Sequence, residues 1–235
     1  MSKDQFPLSR EFKNGFFYLA PGITYTLPGA ENSETFQVAD TTYTIQGTPK
    51  LGRISFAVEA GWYHSFENPR FFHYLEGGIA YRRFSGSNEI ERTVAFDSLI
   101  ASTTEEGSYR IDQLSAVVRA IRVNQLGKFT FLTYGPGLNL DYHLSDDRDA
   151  LITGAESPQQ DLKLQLHFQI GIGLRLTEQL IFMPQLEVPF LEAYPGGKWT
   201  PSHSFAEAYH YPFLLSFRFM FLRKDLMNCN APRLN

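Results

Sequence analysis

The sequence predicts an all-β chain: an eight-stranded antiparallel transmembrane β-barrel of up-and-down topology. Three observations predict it. Long segments alternate apolar and polar residues with period two, as a strand with two unlike faces requires. Short and long connections alternate strictly along the 235 residues. The composition holds 21 Phe, 12 Tyr and 18 Gly against 4 Met, a balance that favours strands over helices.

The clearest strand runs from Asp161 to Leu176. Its even positions are Leu162, Leu164, Leu166, Phe168, Ile170, Ile172, Leu174 and Leu176, and its odd positions are mostly polar or glycine. Strands of soluble proteins average about 5–6 residues, whereas a tilted membrane strand needs about 9–11. The same pattern marks the others in chain order. In 14–27, Phe17, Leu19, Ile23 and Tyr25 oppose Tyr18, Ala20, Gly22 and Thr24. In 51–65, Ile54, Phe56, Val58 and Trp62 oppose Arg53, Ala57, Glu59 and Gly61. In 70–84, Phe71, Leu75, Ile79 and Tyr81 oppose Tyr74, Glu76, Gly78 and Arg82. In 109–123 both faces carry apolar residues, so the alternation is weakest there. In 128–143, Leu132, Leu138, Leu140 and Tyr142 oppose Gly135, Gly137, Asn139 and Asp141. In 179–191, Phe182, Leu186, Val188 and Phe190 oppose Met183, Gln185 and Glu187. In 211–222, Phe213, Leu215, Phe217, Phe219 and Phe221 oppose Ser216, Arg218 and Met220.

The links at 66–69, 124–127 and 177–178 are short; those at 28–50, 85–108, 144–160 and 192–210 are long. Short periplasmic turns and long extracellular loops are the layout of outer-membrane barrels. The expected organisation is a periplasmic segment 1–13, a barrel 14–222 and a periplasmic tail 223–235. Side-chain volume chooses the inner face: eight long strands carrying Phe, Leu, Ile and Trp cannot fold that bulk into so narrow a bore, whereas the glycine- and alanine-rich polar faces can line it. The apolar exterior then needs lipid. A soluble ligand-binding barrel is the contrasting arrangement.

Other classes are set aside by composition. Net charge is −4 with no basic stripe, which excludes a nucleic-acid binder. No run of 18 apolar residues exists, so no helix spans a membrane. A single cysteine, Cys229, leaves no intrachain disulfide and no CxxC site. Met1–Gln5 is charged and starts no secretory signal, which leaves a cytosolic chain or one whose signal has been removed.

Pattern, strand number and loop asymmetry over about 14–222 resemble the small OmpA/OmpX-like outer-membrane barrels of Gram-negative bacteria. Those end on an aromatic residue, whereas here Phe221 is followed by Leu222–Asn235. The tail is similar to that of Bacteroidota barrels, some of which serve secretion machines. The resemblance implies residence in the outer membrane with periplasmic termini, lipid and lipopolysaccharide as surroundings, and other outer-membrane or periplasmic proteins as candidate partners.

Candidate site residues follow. Two aromatic girdles are expected at the interfaces: Phe17, Trp62, Phe71, Phe129, Phe182, Phe219 and Phe221 near the short turns, and Tyr25, Tyr81, Tyr142, Phe190 and Phe213 near the long loops. The expected lumen holds Arg53, Glu59, Glu76, Arg82, Arg119, Lys163, Arg175, Glu187 and Arg218. Buried charges need partners, so these form either a plug of ion pairs or the lining of a narrow channel. His203, Ser204, Glu207 and His210 supply the residue types of a serine hydrolase in one outer loop, the basis of a lipid-modifying reading. His64 and His73 suit the headgroup interface, and Asp146, Asp147 and Asp149 a solvated or calcium-bridging loop. The loop 28–50 contains Thr35–Val38 and Thr42–Ile45, two short β-like runs that read as a hairpin above the membrane or as a lid. No metal or cofactor motif is present. The leading role is structural, or that of an accessory subunit in an outer-membrane assembly.

Overall fold

The computed structural model describes residues 15–66, 69–96, 99–148, 162–193, 199, 203–205 and 208–223. Eight strands pair in a closed antiparallel ring. They are β1 (Gly15–Pro28), β4 (Ser55–Ser65), β5 (Tyr74–Phe96), β6 (Leu99–Gln125), β7 (Thr130–Arg148), β8 (Leu162–Thr177), β9 (Leu180–Ala193) and β11 (Ala208–Phe221). Ring neighbours follow chain order, and β1 zips onto β11 to close it. Closure leaves no open edge at membrane depth, which lipid requires.

The pleat sorts the side chains as the alternation implies. Leu19, Ile23, Phe56, Val58, Ile79, Val118, Phe168, Ile170 and Ile172 face outward and exposed, while Glu59, Arg82, Arg119, Gln169, Gln185 and Arg218 are buried inside. This inverts a soluble barrel. The band between the girdle positions marks the membrane-crossing part, and surface of that extent is stable only under lipid.

Two long connections prove to be sheet rather than loop. Within 28–50, β2 (Asn32–Val38) and β3 (Thr41–Arg53) form a hairpin, and β3 pairs with the upper half of β5. Within 85–108, β5 and β6 simply continue upward, paired as far as Phe96 with Leu99. The runs Thr35–Val38 and Thr42–Ile45 mark the β2–β3 hairpin in the sequence. The rise of β5 carries no such mark, because above the lipid its outward positions Ser85, Ser87 and Glu89 are polar while Asn88 and Ile90 are buried inside. The weakest segment by pattern, β6, is thereby the longest strand, at 27 residues. The hairpin turns at Ala39, whose φ of 53° is left-handed, as a two-residue turn demands. A short β10 (His203–Phe205) pairs with the start of β11. The expected segments 1–13 and most of 223–235, with Cys229, lie outside the described residues.

Candidate functional site: the closed lumen

The inward positions of all eight ring strands meet in one polar network at mid-barrel. Arg119 on β6 is its hub. Its guanidinium donates to Glu59 Oε1 and Oε2 on β4 at 2.5 and 2.8 Å, and to Glu187 Oε2 on β9 at 2.7 Å. Its Nε donates to His167 Nε2 on β8 at 3.1 Å, which makes that ring nitrogen the acceptor. Arg82 on β5 holds Glu187 Oε1 at 2.8 Å. Arg218 on β11 binds Glu76 of β5 and reaches Glu59 Oε1 at 3.3 Å, and its guanidinium lies 4.5 Å above the Tyr18 ring of β1. Tyr18 donates its hydroxyl to Glu59 Oε1 at 2.6 Å. Asn139 on β7 donates to Glu187 Oε1 and Gln165 Oε1, each at 3.1 Å. Three arginines face three glutamates, so this set carries no net charge. Each ion has an oppositely charged partner, and Arg119, Glu59 and Glu187 are multiply hydrogen-bonded, the condition under which buried charge is tolerated.

Backbone economy lets the network form. A Cβ at Gly61 or Gly78 would stand 2.6 Å from the Tyr18 hydroxyl, and one at Gly137 would collide with His167. Glycine at these positions leaves room for the largest polar side chains in the bore.

Apolar layers close the lumen on either side. Towards the short turns, Tyr74, Ile121, Val123, Phe131, Ile181, Met183, Met220 and Leu222 pack as a floor. Towards the long loops, Phe84, Tyr109 and Ile111 form a roof. There the Thr26 and Tyr109 hydroxyls meet at 2.7 Å, and His210 Nε2 lies 2.6 Å from Asn88 Oδ1. Burial holds the His210 ring, which lies beyond the membrane-crossing band, at about 4.

Six of the nine expected lumen charges therefore meet in the network: Glu59, Glu76, Arg82, Arg119, Glu187 and Arg218. Lys163 is inside but one layer higher, 3.6 Å from Glu192. Two placements are corrected. Arg53 is exposed, because pairing breaks at Ile54 and the phase of β4 does not carry into β3. Arg175 sits at the rim, donating to the carbonyls of Thr177 and Glu178 at 3.4 and 3.3 Å beside a register shift. Sequence reading missed Tyr18, Asn139 and His167 as network members, and Glu192 as the partner of Lys163. The first three occupy inward-phase positions, so the phase itself was the available signal.

Of the girdle residues, Phe17, Trp62, Phe71, Phe129, Tyr142 and Phe190 are exposed, with Trp62 at 57% and Phe71 at 73%. Tyr25, Tyr81, Phe182, Phe213, Phe219 and Phe221 are half-buried against neighbours. Phe17 stacks on Phe221 at 4.6 Å, and Phe182 lies 5.2 Å from Phe219. His64 is exposed near the short turns, and His73 accepts the Val123 N–H at 3.2 Å. At the outer rim a register shift at Asp112/Gln113 sets Asp112 against Tyr81 at 2.7 Å and Arg83 at 2.6 Å. Burial alone would raise the Asp112 carboxyl, but bonds from Arg83, Tyr81 and Ser145 outweigh it and hold it at about 2.

The proposed hydrolase residues are not assembled among the described residues. The ring of His210 is turned inward, bonded to Asn88 and 5.1 Å from Tyr109. His203 and Ser204 lie on β10 opposite His210 and Tyr209, and Glu207 lies outside the described residues. Asp146 and Asp147 lie on β7, with Asp149 outside the described residues.

No family model matches the chain, and no curated protein matches it. Among solved structures, it is similar to the crystal structure of Ail, the attachment invasion locus protein of Yersinia pestis, in complex with the heparin analogue sucrose octasulfate. That match is 9% identical, covers 88% of this chain and 99% of that one, and has a TM-score of 0.32. A superposition so loose supports no inference about function, which rests on this chain's own residues.

Proposed function

We propose that this chain is an outer-membrane barrel that does its work on its outside. It is a non-conducting structural or accessory subunit, and the sheet standing above the lipid receives a protein partner. One observation carries the reading. A floor, a charge network and a roof of buried side chains each cross the bore, while the hairpin tips beyond the membrane carry unburied aliphatic and aromatic residues. Val38, Phe96, Leu99 and Ile100 are 58, 52, 73 and 74% exposed, and strand register brings them to one end of the β2–β3–β5–β6 sheet. Lipid does not account for apolar surface at that height, whereas a partner does. In this reading the short turns and both termini face the periplasm and the hairpins face out. Lipid and lipopolysaccharide surround the girdles, and the accessory role parallels the Bacteroidota barrels that serve larger machines.

The test is capture of the tagged chain from native outer membranes in mild detergent, with mass spectrometry of the eluate. A stoichiometric partner that is lost on Leu99→Ser/Ile100→Ser supports the reading. Elution as a lone monomer, or retention of the partner by that variant, overturns it.

A further inference from the structure

Immediately above the charge network, one patch of the inner wall carries oxygen atoms that no protein group satisfies. Strands β6 and β7 pair Ser115 with Asp141 and Val117 with Asn139, so Gln113, Ser115, Asn139 and Asp141 form a block of inward neighbours. All four are buried, Ser115, Asn139 and Asp141 at 0% exposure and Gln113 at 2%. The unpartnered atoms are Gln113 Oε1, Ser115 Oγ, Asn139 Oδ1 and both carboxylate oxygens of Asp141. The orientation of Asn139 is fixed, because its nitrogen is spent on Gln165 and Glu187, which leaves its oxygen as an acceptor.

An unpaired buried carboxylate is among the costliest groups a fold can hold. Lys163 stands opposite Asp141 in the β7–β8 register, but its ammonium lies 3.6 Å from Glu192 on the other side. Asp141 has no cation among the described residues within ion-pair reach, and Arg82, opposite Gln113 across β5–β6, directs its guanidinium to Glu187. A water donates only two hydrogen bonds and brings no charge. An oxygen-only set containing one carboxylate is what a hard cation takes.

We propose that Gln113, Ser115, Asn139 and Asp141 bind one hard cation of the Na⁺ or Ca²⁺ kind inside the barrel. The ion sits between the charge network and the roof, so it enters as the barrel folds and locks β6 to β7 from within. It is structural, and it stands whether or not the outer sheet has a partner.

The full chain is refolded into detergent micelles in N-methylglucamine chloride with EDTA, and separately with NaCl or CaCl₂ at matched ionic strength. Thermal unfolding is followed by tryptophan fluorescence, and ²²Na or ⁴⁵Ca retained after desalting is counted. The expected result is a saturable rise in Tm with one of the two ions, with about one ion held per chain; which salt acts identifies the charge. Asp141→Asn should lose the response and, in the cation-free buffer, melt no lower than the wild type. Ser115→Ala, with one oxygen fewer, should need about tenfold more ion, and it keeps the test open if Asp141→Asn does not fold. Identical melting in every salt with no ion retained overturns the proposal. So does an undiminished response in Asp141→Asn, or a Ser115→Ala titration that superposes on the wild type.

Discussion

Replacing Arg119 by methionine removes the hub of the lumen network while keeping much of its volume. Arg119 makes two bonds to Glu59, at 2.5 and 2.8 Å, one to Glu187 at 2.7 Å and one to His167 at 3.1 Å. Charge-assisted bonds contribute about 1.5–3 kcal/mol each, so the three to carboxylates sum to roughly 5–9 kcal/mol as an upper bound. The sum overstates the loss, because Glu59 keeps Tyr18 and Arg218, and Glu187 keeps Arg82. Breaking a buried ion pair by removing one partner costs about 3–5 kcal/mol, and that is the expected effect. Unfolding by guanidinium from lipid vesicles, read by tryptophan fluorescence, measures it. The cause is checked by the double variant Arg119→Met/Glu187→Gln, which restores charge balance and should recover about half the loss. A loss under about 1 kcal/mol, or no recovery in the double variant, would refute the argument that the plug is electrostatically closed.

Purified wild-type protein in a planar bilayer should give no stable conductance steps, since floor, network and roof each block the bore; reproducible large steps would contradict the filled lumen. Ala39→Gly should stabilise the β2–β3 hairpin by about 0.5–1 kcal/mol, because glycine adopts positive φ without strain; local hydrogen exchange over 32–48 reads it, and faster exchange counts against it. His210 titrates at about 4 in the fold against about 6.5 when unfolded, because burial disfavours its charged form. Its contribution is therefore complete above about pH 6.5 and lost as pH falls towards 4. Denaturant midpoints of wild type and His210→Gln should converge across that window, and parallel pH profiles would sink the assignment. Gly137→Ala should displace His167 from Arg119 and lower the thermal midpoint by several degrees, whereas an unchanged midpoint would mean the bore has slack.

The ring was legible because lipid on one side and a tight bore on the other impose opposite chemistry on alternate residues, and period two records that. Glu59, Arg119 and Arg218 could be placed inside from phase alone. Phase fails where its cause stops. Above the lipid the outer face meets water, so past Ser85 and Arg110 the outward positions of β5 and β6 turn polar and leave no apolar alternation to read, although Asn88 and Ile90 stay buried inside. At Ile54 and around Arg175 the pairing shifts, and Arg53 and Arg175 leave the face that counting assigns them. Who pairs with whom was hidden for a different reason. Tyr18 and Glu59 are 41 residues apart, Arg119 and Glu187 68, and only closure of the ring sets their distance.

The first and last strands meet at the same carboxylate. Tyr18 of β1 and Arg218 of β11 both end on Glu59, and Arg218 crosses the Tyr18 ring as the two strands zip. A ring still open at that seam would hold Glu59 and Glu76 without Arg218, in surroundings that cannot hydrate them. Closing the seam therefore delivers the last ladder of backbone bonds and the missing counter-charge in one step. The seam works as a latch: a chain truncated before Arg218 forfeits the strand pairing and, with it, the neutrality of the interior.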